Sequence, residues 1–134
     1  MVFNDDVIQN SIQWKNNKLV ILEFWNSACG QCIKDFPKFQ EFYNKNKNKY
    51  EIYSVNVPWR RDKDKNFNPK QFVDSLGFDF PILSMEFEEA NKIGINFFPT
   101  VLVIGDETIK YNGQLNYSQS GRYSFIEILK EIEK

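Results

Sequence analysis

Apolar residues run along this chain in two rhythms, and the switches between them mark its elements. Residues 4–14 (NDDVIQNSIQW) place Val7, Ile8 and Ile12 on one face behind Asn4 or Asp5, which predicts a short capped helix. Residues 19–25 (LVILEFW) are apolar almost throughout, as in a central strand covered on both sides. From about Gly30 to Asn46, Phe36, Phe39, Phe42 and Tyr43 recur at spacings of three and four. That period predicts a helix, with Pro37 inside it as a kink. Residues 50–57 (YEIYSVNV) read as a second strand, followed by a charged loop, PWRRDKDKNFNP, bounded by Pro58 and Pro69. A helix is predicted over 69–76, with proline in its first turn and Gly77 ending it, and another over 87–93, closed by Gly94. Residues 100–105 (TVLVIG) and 108–112 (TIKYN) predict a hairpin around GDE. A last helix, about 122–133, carries Phe125, Ile128, Leu129 and Ile132 on one face, with Lys130 and Lys134 near its end. Strands alternating with helices, then a hairpin and a final helix, predict an α/β sheet of mixed strand direction. No repeat or long linker divides the chain, so residues 1–134 are expected to be one domain.

Composition narrows the function classes. Thirteen Phe and three Trp supply a core that does not depend on a disulfide framework. The net charge is −1 and no stretch is strongly basic, so nucleic acid is not an expected partner. The chain has no His, which removes the commonest general base and metal ligand and every Ser-His or Cys-His scheme. The apolar runs LVIL and TVLVIG are far too short to span a membrane. Met1 leads almost directly into polar, foldable sequence, so no signal peptide is expected in this stretch. The chain therefore reads as a cytoplasmic protein or as a domain whose export segment or N-terminal anchor has been removed. No metal site is expected.

The chemistry is concentrated in EFWNSACGQCIKDFP, residues 23–37, which holds both cysteines three positions apart. Random placement would give that spacing roughly one time in 70. As a staple the pair would close only a four-residue loop, worth about 2 kcal/mol. A zinc or iron–sulfur site would need two further Cys or His ligands, and haem attachment would need His where Ile33 stands. A redox pair fits best, ahead of an inert one. Residues three apart on a helix lie within disulfide reach. Cys29, at the helix start, faces free backbone N–H groups and the positive end of the dipole, which favour its thiolate and make it the attacking sulfur. Cys32, one turn in, would resolve the mixed disulfide. The expected cofactor is therefore none beyond a redox-active Cys29–Cys32 disulfide.

FWNSACGQC resembles the FWAxWCxxC segment of thioredoxin-like proteins, and GINFFPT (94–100) resembles their cis-proline loop. The order and separation also match, and the resemblance covers essentially the whole chain. CIKDFP is similar to the CxxExP pattern of the TlpA/ResA type, the extracytoplasmic thiol-disulfide oxidoreductases of bacteria. This resemblance implies a thioredoxin-like fold: a central mixed sheet of four or five strands flanked by helices. NPKQFVDSLGFDFPIL would be the helix-and-strand insertion of that type, ahead of a cis Pro99. It also implies net reduction or exchange of disulfides in protein substrates, recharging by a redox partner protein, an extracytoplasmic (periplasmic or membrane-tethered) location, and a monomer. Ala28 replaces the usual Trp, and Gln31 the common Pro, which bears on potential and substrate choice.

The resemblance assigns supporting roles. Glu23 matches the buried acid of thioredoxins. A buried carboxyl has a raised pKa and can take the proton of the resolving thiol; its plainer reading is a strand-edge acid in solvent. Asp35, one turn after Cys32, is either a second proton carrier or a solvated helix acid. Gly30, Gln31, Phe98 and Pro99 would line the substrate site. Trp25 would contact it or simply pack in the core, and Trp59 with RRDKDK is a solvated loop before it is a partner site. The alternative class is a redox-silent thioredoxin-like module that binds peptides or partners. A peroxidase of the same superfamily expects Thr three residues before its reactive Cys, where Asn26 stands.

Overall fold

The structure is a computed structural model, and it describes residues 18–58, 66–106, 108–114 and 125–134. The helix expected over 4–14 and the loop from Trp59 through RRDKDK lie outside those residues.

Five strands form one sheet: β1 (Val20–Trp25), β2 (Glu51–Asn56), β3 (Ile82–Ser84), β4 (Thr100–Gly105) and β5 (Thr108–Gly113), in the order β3-β2-β1-β4-β5. β1 and β2 run parallel, as do β2 and β3, whereas β4 lies antiparallel to both β1 and β5. The sheet is mixed, as the sequence pattern requires, and β1 is central. All six of its residues are buried, which is why the segment, Glu23 apart, reads as an apolar run. β4 is buried along its whole length for the same reason.

The helices are α1 (Gly30–Asn46), α2 (Pro69–Ser75), α3 (Phe87–Lys92) and α4 (Phe125–Glu133). α1 buries Cys32, Phe36, Phe39 and Phe42. These pack with Ile21, Trp25, Ile52, Val101 and Val103 of the sheet, with Val73 of α2, and with Phe125 and Leu129 of α4. The opposite face carries Val20, Leu22, Phe24, Val55, Leu102 and Ile104, covered by Ala90 of α3 with Met85 and Ile95. The period of two along β1 thus sends alternate residues into two separate cores. Glu23 lies between Ile21 and Trp25 in this alternation and so belongs to the face that α1 covers.

Local chemistry sets the ends. Asn68 caps α2 by accepting a hydrogen bond from the Gln71 N–H (3.0 Å), and Pro69 takes the first helical position. Gly77 (φ 90°) and Gly94 (φ 85°) follow α2 and α3 in the left-handed conformation that glycine adopts without strain. Pro37 sits inside α1 and has no N–H for the Ile33 carbonyl one turn back. No helix among the described residues is long and apolar enough to cross a membrane.

Candidate redox site

The cysteine pair stands where the central strand ends. β1 runs out at Trp25, a short turn follows, and α1 begins at Gly30 with Cys29 as its N-cap. Asn26 shapes the turn. Its side-chain oxygen accepts from the Ala28 N–H (2.9 Å) and its carbonyl accepts from the Cys29 N–H (3.2 Å). Asn26 is buried, so this Asx turn is an internal fixture. It was not singled out from the sequence as a turn former, although Asn two residues ahead of a small residue is the signal for it.

Cys29 and Cys32 are joined as a disulfide, with Cα atoms 5.3 Å apart. Cys29 is half-buried and Cys32 wholly buried. The Cys32 N–H donates to Cys29 Sγ at 3.1 Å, so the sulfur occupies the place a Ser or Asp oxygen holds in an ordinary helix cap. The first turn of α1 carries no acidic residue to oppose negative charge on that sulfur. A helix start that binds sulfur in this way lowers the energy of a thiolate relative to a thiol.

The other candidates fall at several depths. Gly30 and Gln31 are exposed between the cysteines, and a Cβ on Gly30 would meet nothing within 4 Å. The Gln31 side chain donates to Asp35 Oδ1 (3.0 Å), which engages Asp35 with the outer surface of α1, where the residue is half-buried. Glu23 is fully buried, opposite Ser54 on β2 and Val101 on β4. It is therefore not the strand-edge acid of its plainer reading.

Trp25 is also fully buried. Its ring meets Phe36 edge-on at 5.1 Å and stacks with Phe72 at 5.9 Å. The structure gives Trp25 a core position, with no surface of its own to offer a substrate. The Phe98–Pro99 peptide bond is cis. Thr100 pairs with Phe24, so Pro99 arrives at the level of Trp25, buried, while Phe98 is half-buried against both cores and Phe97 is 73% exposed. Sequence reasoning passed over Asn56, which is wholly buried and in register with Trp25 across β1 and β2.

Comparison with known proteins agrees with this geometry. The chain is 27% identical over 106 residues to the thiol-disulfide oxidoreductase ResA of Halalkalibacterium halodurans, an alignment covering 76% of this chain and 57% of that protein. It is 27% identical over 118 residues to the ResA of Geobacillus thermodenitrificans, covering 87% and 62% respectively. The chain thus spans about three fifths of the length of these relatives, 57% of one and 62% of the other. Among solved structures, StoA from Bacillus subtilis superposes with a TM-score of 0.63 at 24% identity, covering 88% of this chain and 84% of that one. The exposed lipoprotein thioredoxin Etrx1 of Streptococcus pneumoniae gives 0.63 at 21% identity, covering 87% and 84%. These likenesses show a thioredoxin-like fold. A family model matches residues 4–111, and on that match the chain belongs to the AhpC/TSA family.

Proposed function

We propose that this domain is a thiol-disulfide oxidoreductase acting on disulfides of protein substrates. The observation that carries the reading is the hydrogen bond from the Cys32 N–H to Cys29 Sγ at the start of α1. In the reduced domain Cys29, as thiolate, attacks one sulfur of a substrate disulfide. A Cys29–substrate bond forms, and the other substrate sulfur leaves with the electron pair. Cys32 then loses its proton and attacks Cys29 Sγ. The Cys29–Cys32 bond closes and the substrate departs fully reduced, two electrons having passed from the domain. A partner dithiol must restore the pair.

Glu23, buried on the face that α1 covers, is the proton acceptor for Cys32, since burial disfavours the charged carboxylate. Asp35, tied to Gln31, is the secondary acid. Gly30, Gln31, Phe98 and Pro99 form the surface a substrate meets, and Trp25 supports it from beneath. The relatives named thiol-disulfide oxidoreductase support the activity. One structural neighbour is an exposed lipoprotein, which supports an extracytoplasmic setting; recharging by a membrane partner and a monomeric state belong to the same proposal. We read α2 with β3 as the insertion of the TlpA/ResA type.

Cys29→Ser is expected to abolish reduction of insulin disulfides, and full activity in that variant would remove the mechanism. Glu23→Gln and Asp35→Asn are expected to raise the pH at which turnover appears, Glu23→Gln more strongly. Unchanged profiles in both would rule out the proton role. The rate of Cys29 alkylation against pH separates the enzyme from a binding module. A midpoint well below about 8.5 marks an activated thiol, and one near it an inert pair.

A further inference from the structure

Where β1 and β2 end, ahead of the cysteine pair, two buried residues hold polar atoms without a partner among the described residues. Asn56 is 0% exposed, yet neither its Nδ2 nor its Oδ1 has a hydrogen-bond partner, and the Nε1 of fully buried Trp25 has none either. The two residues are in register on adjacent parallel strands. Residues paired in this way share a sheet face, as Ile21 and Ile52 do in the core under α1. Glu23 and Ser54 form the next pair on that same face. Trp25 belongs to the same core cluster as Cys32, and its ring touches Phe36, one turn beyond Cys32.

Buried amide and indole N–H groups are rarely left unbonded, because desolvation is not compensated without a partner. Three unpartnered polar atoms on two residues in register match the partner count of an internal water, which takes two to four. We propose that Asn56, with the indole N–H of Trp25, forms a buried water site that solvates the sulfur of Cys32 during resolution. This inference rests on the oxidoreductase reading. The water accepts from the Asn56 amide and the Trp25 indole, and both its own hydrogens remain to donate. One serves Cys32 Sγ once the thiol proton has passed to Glu23. The thiolate then attacks Cys29 Sγ, the Cys29–Cys32 bond forms, and the Cys29–substrate bond breaks with its electron pair on the leaving substrate thiolate. Asn56 is a positioning residue here, since it acts through the water and touches no reacting atom.

The test is Asn56→Leu, an apolar replacement of similar size that removes the amide without leaving a polar atom behind. Release of substrate from the mixed disulfide is followed by rapid quench across pH, beside Cys29 alkylation. Resolution should slow about tenfold, and its profile should move up by about one pH unit. Alkylation of Cys29 should stay within twofold, and the denaturation midpoint should not fall. A folded Asn56→Leu protein with the wild-type resolution profile overturns the proposal. Should that variant not fold, Trp25→Phe, which removes the indole N–H together with its five-membered ring, is read in the same way, with Cys29 alkylation as the control for altered packing. Water-to-amide cross-peaks at the Asn56 side chain, measured by NMR on the reduced wild-type protein, are the independent readout, and their absence overturns the site. A wild-type protein without disulfide reductase activity would instead sink the oxidoreductase reading, leaving the water site to the NMR measurement.

Discussion

Gly30 is the residue between the cysteines whose replacement separates access from architecture. A Cβ there meets nothing within 4 Å, and its backbone is not in the left-handed region. It is also the first residue of α1, where Ala restricts the unfolded chain without straining the helix. Gly30→Ala should therefore fold and gain about 0.4–1 kcal/mol in urea denaturation. Its cost should fall on the substrate side. A methyl group on the exposed ridge beside Cys29 should raise KM for a protein disulfide more than for a small disulfide such as oxidised glutathione. Equal effects on both would show that Gly30 does not face the substrate. Gln31 bears on the same ridge differently. Its hydrogen bond to Asp35 gives a physical use to a residue that departs from the family pattern.

At the scale of elements, α1 holds the site because its apolar face is aromatic. Phe36 and Phe39 both meet Phe80 edge-on, at 5.2 and 4.8 Å, and Phe42 meets Phe125 at 5.4 Å. α2 completes the support. It spans only seven residues, too few to persist without tertiary contacts, and its Phe72 stacks on Trp25. Asn68→Ala removes the hydrogen bond that starts α2 and should cost about 1 kcal/mol in urea denaturation. A loss below about 0.3 kcal/mol would show that Pro69 and packing alone hold the helix, since typical cap losses are about 0.5–2 kcal/mol. The bounds of α1 were legible from its Phe spacing, and those of β1 and β4 from their apolar runs, because in each case the local pattern and the tertiary burial agree. β3 was not legible by pattern. Its three residues, Ile82–Ser84, are too few to show a period, and among the described residues it pairs with β2 alone. The site divides in the same way. The cysteines and Glu23 lie within one continuous segment and could be read together. Asn56 could not, since its face and depth are set by register with a strand some thirty residues earlier, roughly the separation of a parallel crossover unit.

Over the whole molecule, one buried and two half-buried tyrosines tie the sheet to its surroundings away from the cysteines, and they make stability depend on alkaline pH. Burial pushes the Tyr53 hydroxyl up to about 12, with its hydrogen bond to Glu51 (2.9 Å) and that carboxylate's charge adding to the effect. Tyr50 is raised further, first by burial and then by its hydrogen bond to Glu133 of α4, which also pairs with Lys49 at 3.5 Å. Tyr111, whose ring lies 6.3 Å from that of Phe125, is raised by burial. An unfolded tyrosine ionises near 10. Above that pH the unfolded chain releases tyrosine protons that the folded chain keeps, so the folded state binds more protons and stability falls as pH rises. The contribution is complete below about pH 10 and, for Tyr53, is lost as pH rises to about 12. Urea midpoints measured from pH 9 to 12 should therefore decline, and Tyr53→Phe should decline less steeply, since it has no proton to lose there. Absorbance at the phenolate band supplies the direct check: at pH 11 the folded protein should show fewer ionised tyrosines than the same protein in urea. Parallel midpoint curves for the wild type and Tyr53→Phe would remove Tyr53 from the account. Tyr50 precedes the start of β2, and β1 begins alongside at Val20, whereas Cys29 follows the far end of β1 at Trp25. Alkaline loosening should thus begin at the pole opposite the disulfide. Amide exchange at pH values just below the transition should rise first around Tyr50 and the last turn of α4, while the Cys32 amide stays protected.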